Sequence, residues 1–271
     1  MSVVSALRRV YHALVPLPLR RHLGLARWTA SRRARVRLWE KTGGRVAAGV
    51  FAGQRLRHAS PGDCEGPVLL GSFECETHAW LEREFARGWP IAVNIGSAFG
   101  YYSTGLALRL TNSIVHAFEM DPGLQEETHR SAEVNGVAQR VRMLGRADVT
   151  ALASLPVSAD SGALVVCDCE GAERDLLDPA HVPWLTRSAL CVELHDFAAP
   201  GATEALTSRF AASHELVIVE QHSRDAAAWA LLAGIDRADA AELCDEQRRW
   251  GDVPLPGRWL LASPLRRDRD R

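Results

Sequence analysis

The chain is short of several residue types and patterns. Its 271 residues include one lysine, three methionines and three tyrosines. No apolar run approaches the ~18 residues that a membrane-crossing helix requires, so no transmembrane helix is expected. The six cysteines, Cys64, Cys75, Cys167, Cys169, Cys191 and Cys244, contain no C-x-x-C pair and no zinc-finger spacing. They read as reduced core thiols of a cytoplasmic protein. The phosphate-binding pattern G-x-x-x-x-G-K-[ST] is absent, which excludes a P-loop nucleotidase. Neither charge is in excess: 32 basic against 33 acidic residues gives a formal −1 and excludes a generic polycationic nucleic-acid binder. No small-residue cleavage site follows Arg8 and Arg9, and Pro16 and Pro18 interrupt the apolar stretch, so a secretory signal is not expected.

What is present is distributed unevenly. Residues 1–39 hold nine arginines and no Asp or Glu. Val3, Leu7, Val10 and Leu14 recur at helical spacing, and a second basic helical stretch runs from about Arg20 to Lys41. Residues 1–66 therefore read as a basic helical N-terminal extension. Its cationic face either touches an anionic surface weakly or is a solvated face on helices packed against the body. From about residue 67 the texture changes to alternating strands and helices. Strands are predicted at Ile91–Ile95, Ile114–Glu119, Val141–Leu144, Leu164–Asp168, Leu190–His195, Leu216–Glu220 and Trp259–Ala262. Helices are predicted near His78–Arg87, Tyr102–Arg109, Leu124–Asn135, Ala172–Leu177 and Thr203–Ser213. Strands alternating with helices imply a mostly parallel, doubly wound α/β sheet over residues 67–271. A helix-rich insertion, 222–257, carries Asp225, Asp245, Glu246 and Arg248 and is a plausible lid over an acceptor.

Such sheets bind ligands at the carboxyl ends of their strands. The first core strand runs into Gly96-Ser97-Ala98-Phe99-Gly100 and then a helix. The second strand ends on Glu119, 23 residues after Gly96. An acid there accepts hydrogen bonds from ribose hydroxyls. The second glycine of the dinucleotide fingerprint is replaced by Ala98, and Phe99 and Tyr101 crowd the turn. This fits S-adenosylmethionine (SAM) better than NAD or ATP. An NAD-dependent oxidoreductase is the rival enzyme class.

Four blocks in order resemble the motifs of FkbM-type SAM-dependent methyltransferases: Val93-Asn94-Ile95-Gly96-Ser97-Ala98-Phe99-Gly100-Tyr101-Tyr102-Ser103, His116-Ala117-Phe118-Glu119-Met120-Asp121-Pro122, Asn135-Gly136-Val137, and Asp168-Cys169-Glu170-Gly171-Ala172-Glu173. The resemblance covers roughly residues 69–197. It implies a Rossmann-like class I methyltransferase sheet of seven strands, mostly parallel with the last one antiparallel, and usually O-methylation. It also implies that the turn built from Gly96, Ser97, Ala98 and Gly100 meets the methionine part of SAM. Glu119, followed by Met120, would meet the ribose, and Asp148 would neighbour the adenine amino group. The family commonly has an acid where this chain has Asn94, at the contact to the SAM amino group.

The chemistry is expected at the ends of the fourth and fifth strands. Period-two geometry places Asp168 and Glu170 on one face, with Cys167 and Cys169 on the other. Glu193 and His195 share a face of the next strand. Three carboxylates and an imidazole then converge at one rim, which is costly unless they have a use or pair with one another as a capping cluster around Glu170 or Glu173. His195 is the preferred general base, with Glu193 orienting it. Asp168 would position the acceptor hydroxyl or the SAM amino group. The same four residues, Asp168, Glu170, Glu193 and His195, also suit a divalent metal such as Mg²⁺, Mn²⁺ or Fe²⁺. The acceptor is expected to be a small molecule, a sugar or natural-product intermediate. A non-catalytic SAM-binding protein and a peripheral membrane module are the remaining alternatives. Glu74 either reaches over the SAM pocket or is a plain capping residue. The tryptophans are expected in the core, and His214 and His222 at the surface.

Overall fold

The computed structural model describes residues 33–57, 65–246, 248–250 and 253–265. The expected helix around Val3–Leu14 and Cys64 lie outside the described residues. Seven strands form one sheet: β1 (Ile91–Ile95), β2 (Ile114–Phe118), β3 (Val141–Leu144), β4 (Leu164–Cys167), β5 (Ala189–Glu193), β6 (His214–Glu220) and β9 (Arg258–Pro264), with β7 (Arg249–Trp250) and β8 (Val253–Pro254) pairing separately. The order across the sheet is β3-β2-β1-β4-β5-β9-β6. All neighbours are parallel except that β9 runs antiparallel to both β5 and β6. This is the expected Rossmann-like α/β architecture, six strands one way and the last one reversed. Each predicted strand is present, with ends that move by one or two residues. The shifts matter at the carboxyl ends, where Glu119, Asp168 and His195 lie just beyond their strands. The chain there has left the ladder and is free to turn toward a ligand.

The strands are nearly all apolar because helices cover both faces, the usual condition of a parallel sheet. Successive side chains are sorted into two cores. Ala92, Leu164, Val166, Ala189 and Cys191 face one. Val93, Ile95, Val165, Cys167, Leu190 and Val192 face the other. The first core is completed by helices α3 (His78–Arg87), α4 (Tyr101–Arg109) and α5 (Pro122–Val134), through Trp80, Phe85, Tyr101, Leu106 and Ala132. Val46, Val50 and Phe51 pack into the same core from the segment before residue 57. The second is covered by α6 (Val149–Ala153), α7 (Glu173–Leu176) and α8 (Ala202–Phe210), through Leu152, Leu176, Leu206 and Phe210.

The insertion is less helical than its composition suggested. Among its described residues it contains one α-helix, α9 (Arg237–Cys244), two 3₁₀ turns and the antiparallel β7–β8 pair. Leu232, Ala240, Leu243 and Cys244 bury themselves against Ala34 and Leu38 of the helical stretch α1 (33–42), and against Leu69 and Leu70 of α2 (Glu65–Leu70). Lys41 clamps this contact by donating to the carbonyls of Leu231 and Ala233, both at 2.7 Å. The insertion and the segment 33–57 are thereby tied to each other. Of the tryptophans expected in the core of the main domain, Trp80, Trp89, Trp184 and Trp259 are buried, whereas Trp229 is half-buried against the insertion's own cluster. His214 is not a surface residue: it is buried, contacting the Ser188 carbonyl at 2.8 Å through Nε2. Strand β6 begins two residues earlier than predicted and takes His214 under the sheet.

Gly96 and Gly136 both have positive φ, 82° and 69°. A Cβ on Gly96 would lie 1.7 Å from the Asp168 carbonyl oxygen, whereas one on Gly136 would meet nothing within 4 Å. Gly136→Ala is expected to cost about 1 kcal/mol of stability, the conformational penalty alone. Gly96→Ala should cost clearly more, because backbone must also move. Urea denaturation of the two variants checks this, and equal midpoints would contradict it.

Candidate active site

The site begins with the turn between β1 and α4. The Gly96 and Ser97 amides both donate to the Phe118 carbonyl, at 3.0 and 2.9 Å, and bind the turn to the end of β2. Thr128 of α5 pins it from behind. Its hydroxyl donates to the Ala98 carbonyl at 2.8 Å and lies 3.2 Å from the Ser97 hydroxyl. A Cβ on Gly100, at φ 86°, would sit 2.9 Å from the Thr128 Cα, so glycine is required there as well. Ala98 is held at φ 44°. That left-handed conformation is uncommon outside glycine and marks stored strain.

Glu119 closes the turn from the other side. One carboxylate oxygen accepts from the Ala98 amide at 2.9 Å, the other from the Asp121 amide at 3.0 Å. A carboxylate has about four acceptor positions, so capacity for two further donors remains. Phe99, Met120 and Leu124, from the three segments that meet here, stay exposed, Met120 at 72%. Asp148 caps α6, accepting from the Ala151 amide at 2.8 Å. The buried Asn94 side chain is turned into the structure: it accepts from the Ser103 hydroxyl at 2.6 Å and donates to the Val166 carbonyl at 3.4 Å. The Ser97 hydroxyl is likewise buried against Thr128.

The second half lies at the ends of β4 and β5, which pair in parallel. His195 is almost fully buried, with Nδ1 2.7 Å from the Glu173 carboxylate. Glu173 is itself 0% exposed, and the same oxygen accepts from the amides of Gly171 and Cys169 at 3.1 and 3.3 Å. Burial raises the Glu173 pKa, but the hydrogen bonds from His195 and Gly171 outweigh it and the net shift is downward. Burial lowers the His195 pKa, and the Glu173 hydrogen bond with the charges of Glu173, Asp168 and Glu170 reverses this, so the net shift is upward. An ionised Glu173 holds the proton of His195 on Nδ1 and turns Nε2 outward. Around Nε2 stand Asp168 at 3.6 Å, and Glu170 and Glu193 each at 3.7 Å. The predicted cluster is therefore brought together. Cys167 and Cys169 lie on the opposite face as expected, their sulfurs 3.6 Å apart. Glu170 takes φ 57° in the turn that delivers Glu173.

An ionic network closes the far side. Arg248, from the insertion, donates to Glu193, to Glu74 at 2.5 Å and to Glu246 at 3.0 Å, with its guanidinium over the rings of Phe73 and Trp259. Arg224 joins Glu246 to Glu76 at 2.8 and 2.5 Å. Glu74, at φ 50°, also accepts from the Tyr102 hydroxyl at 2.5 Å. Burial pushes the Glu74 carboxyl up to about 7, against the pull of Arg248. Burial and the charges of Asp168 and Glu74 likewise hold Glu193 well above the ordinary carboxylate range, although Arg248 opposes them. Glu74 is thus buried beneath the rim, and the insertion enters the site through Arg248. His222 is exposed and pairs with Glu76 at 2.8 Å. A cavity of about 480 Å³ opens between insertion and sheet, walled by Phe73, Asp168, Glu193, His195, Phe197 and Pro256.

Glu173 as the partner of His195, and Arg248 as the bridge to Glu74 and Glu193, were not assigned from sequence. Glu173 carried a weak signal, an acid three residues beyond Glu170 in the same turn. Arg248 carried none, since its partner Glu74 is 174 residues away. Among the described residues, the three non-glycine residues with positive φ, Glu74, Ala98 and Glu170, all belong to this region.

No protein-family model matches the chain, and no curated protein matches it. Among solved structures, it is similar to the O-methyltransferase TomG of Streptomyces achromogenes, involved in tomaymycin synthesis and solved with SAM (13% identity, 67% of this chain and 77% of that one, TM-score 0.44). It is also similar to a putative O-methyltransferase from Klebsiella pneumoniae (12%, 94% and 95%, 0.44). A third is precorrin-6y C5,15-methyltransferase from Geobacter metallireducens (13%, 69% and 87%, 0.44).

The His195–Glu173 pair sets a pH dependence. The raised His195 pKa contributes stability that is full below the ordinary imidazole value of 6.5 and lost as pH rises through the native pKa. The lowered Glu173 pKa contributes stability present above the ordinary 4.5 and lost as pH falls through its native value. In protein dialysed against a chelator, NMR should show His195 titrating above 6.5, and Glu173→Gln should bring it down. A wild-type His195 that titrates below 6.5 would contradict the pairing.

Proposed function

We propose that the chain is a SAM-dependent methyltransferase that methylates an oxygen of a small-molecule acceptor, a sugar or natural-product intermediate. The observation that carries this reading is the juxtaposition of two half-sites. The Gly96–Gly100 turn offers a stretch of backbone bounded by two glycines to an amino-acid tail, and Glu119 offers a carboxylate to a ribose. The Glu173-held imidazole stands beside it, across Asp168. The ordered motifs of the FkbM type fall on these same residues.

When bound, SAM supplies a methyl group on a sulfonium, and its transfer is an in-line displacement in which alignment is the main task. The chain's residues divide that task. Glu119 holds two backbone amides and offers its remaining lone pairs to the ribose hydroxyls. Phe99, Met120 and Leu124 give the adenine an apolar border, with Asp148 at the capped start of α6 as its polar neighbour. Asn94, spent on Ser103 and Val166, shapes β1 and leaves recognition of the SAM ammonium to backbone carbonyls and to Asp168. The cavity beneath Arg248 receives the acceptor. Its hydroxyl meets the chain at His195 Nε2, the outward lone pair fixed by Glu173. Acting alone, the imidazole takes the hydroxyl proton, a contribution of about 10²–10⁴ in rate.

Calorimetric titration of SAM into the full chain tests the reading. Glu119→Ala is expected to weaken SAM by about 1–3 kcal/mol, the usual result of leaving polar partners unpaired. His195→Ala should keep SAM affinity within a few-fold while abolishing methyl transfer to an accepted alcohol. Absence of SAM binding in the wild type, or equal affinity in Glu119→Ala, would overturn it.

A further inference from the structure

We propose that Asp168, Glu193 and His195 form a site for one divalent cation of the Mn²⁺/Mg²⁺ class. One ligand atom from each of the three residues lies within 4.8 Å of the others. Donor atoms that close can converge on one ion after small side-chain adjustments.

Three further observations point to a cation. First, the imidazole is already oriented as a ligand. Metal-binding histidines commonly give their second N–H to a carboxylate, which fixes the tautomer and raises ligand basicity. Glu173 does this to Nδ1 at 2.7 Å from a completely buried position. Second, the donors facing the site are unsatisfied. Nε2 has carboxylate oxygens no nearer than 3.6 Å, beyond hydrogen-bond range. Oδ1 of Asp168 and Oε2 of Glu193 are buried without a hydrogen-bond partner, and Glu193 is only 6% exposed. Arg248 leaves that second oxygen unused, because it binds Oε1 of Glu193 and spends its remaining donors on Glu74 and Glu246. Third, the charge is unbalanced. Among the described ion pairs, Asp168 and Glu170 face only His195, which already serves Glu173.

The donor set selects the ion. Two carboxylates and one imidazole suit Mn²⁺, Mg²⁺ or Fe²⁺. The nearby thiols of Cys167 and Cys169 point to the other face of the strand, so a thiolate zinc centre does not fit. Three protein ligands leave coordination positions open toward the cavity of about 480 Å³. The role of the ion rests on the methyl-transfer reading. Asp168, Glu193 and His195 would hold the ion, which would supply the Lewis acidity that lowers the pKa of the acceptor hydroxyl in place of the imidazole base, while the methyl passes from the sulfonium to the oxygen and S-adenosylhomocysteine leaves. The hydroxyl proton then leaves to water past Glu170, whose side chain is 78% exposed at the mouth. In a second grouping, Cys75, Glu76 and His222, the carboxylate is already occupied by Arg224 and the His222 amide.

The test is a titration of Mn²⁺ into chelator-treated full chain, with free Mn²⁺ read by electron paramagnetic resonance, and SAM titrated separately into the same protein. One saturable Mn²⁺ site is expected. Glu193→Gln and His195→Ala should abolish it, and Glu173→Gln, which touches no ion, should weaken it 10–100-fold. Cys75→Ser should leave it unchanged. No saturable site in the wild type overturns the inference, as does undiminished affinity in folded His195→Ala. SAM binding without Mn²⁺ binding removes the cation and keeps the methyl-transfer reading. Mn²⁺ binding without SAM binding supports the cation and removes that reading.

Discussion

At the carboxyl end of the sheet, β1 and β4 approach so closely that no carbon fits between Gly96 and the Asp168 carbonyl. The Asp168 amide is bound in turn to the Ile95 carbonyl at 2.9 Å. These two contacts place the residue that opens the glycine turn against the residue that opens the acidic rim. A turn for a cofactor and a cluster for chemistry can be built on any doubly wound sheet. Here the backbone of one residue, Asp168, touches both, so displacing either half displaces the other. The left-handed conformations of Gly96, Ala98 and Gly100 follow from this approach, because the chain must reverse within five residues without meeting β4 or α5.

The rim is expensive to maintain. Burying carboxylates carries a desolvation cost that pairing seldom recovers in full. The chain meets that cost with a few cations used many times. Arg248 serves three glutamates and Arg224 serves two, while His195 is the base within 4 Å of Asp168 and Glu170 among the described residues. Both arginines come from the insertion, so the insertion completes the electrostatics of the site as well as covering it. Its apolar side is anchored on α1 and α2, which links the 33–57 segment to the wall of the cavity through one packed layer. Strain at Glu74 and Glu170 belongs to the same economy. Each takes an unfavourable φ to bring a charged side chain where the network needs it.

Much of this was legible in the sequence, for identifiable reasons. Strands of a fully covered parallel sheet are short continuous apolar runs, and Ile91–Ile95, Val141–Leu144 and Leu164–Cys167 stand out between polar turns. Period two alone put Asp168 and Glu170, and Glu193 and His195, on common faces. The order β4 beside β5 then joined the pairs. What stayed hidden depends on tertiary contact. Nothing local to Asn94 indicates that its side chain binds the Ser103 hydroxyl and the Val166 carbonyl. His214 read as a surface residue because what covers it, the Ser188 carbonyl and the Phe210 ring, comes from other elements. Glu173 could be seen as a cap but not as the partner of an imidazole 22 positions away. Arg248 lies in a segment of weak periodicity, and nothing local indicates that it reaches Glu74 and Glu193. The insertion looked helical because it is rich in alanine, yet two of its helical segments, Ala226–Ala228 and Ala230–Leu232, stop after one turn.

The most direct test of the central claim is a crystal structure of the full chain with S-adenosylhomocysteine. The account predicts the ribose at Glu119, the amino-acid tail over the Gly96–Gly100 turn, and the sulfur facing the rim of Asp168 and His195. Nucleoside density elsewhere, or a Gly96–Gly100 turn that stays bare at saturating ligand, would contradict it.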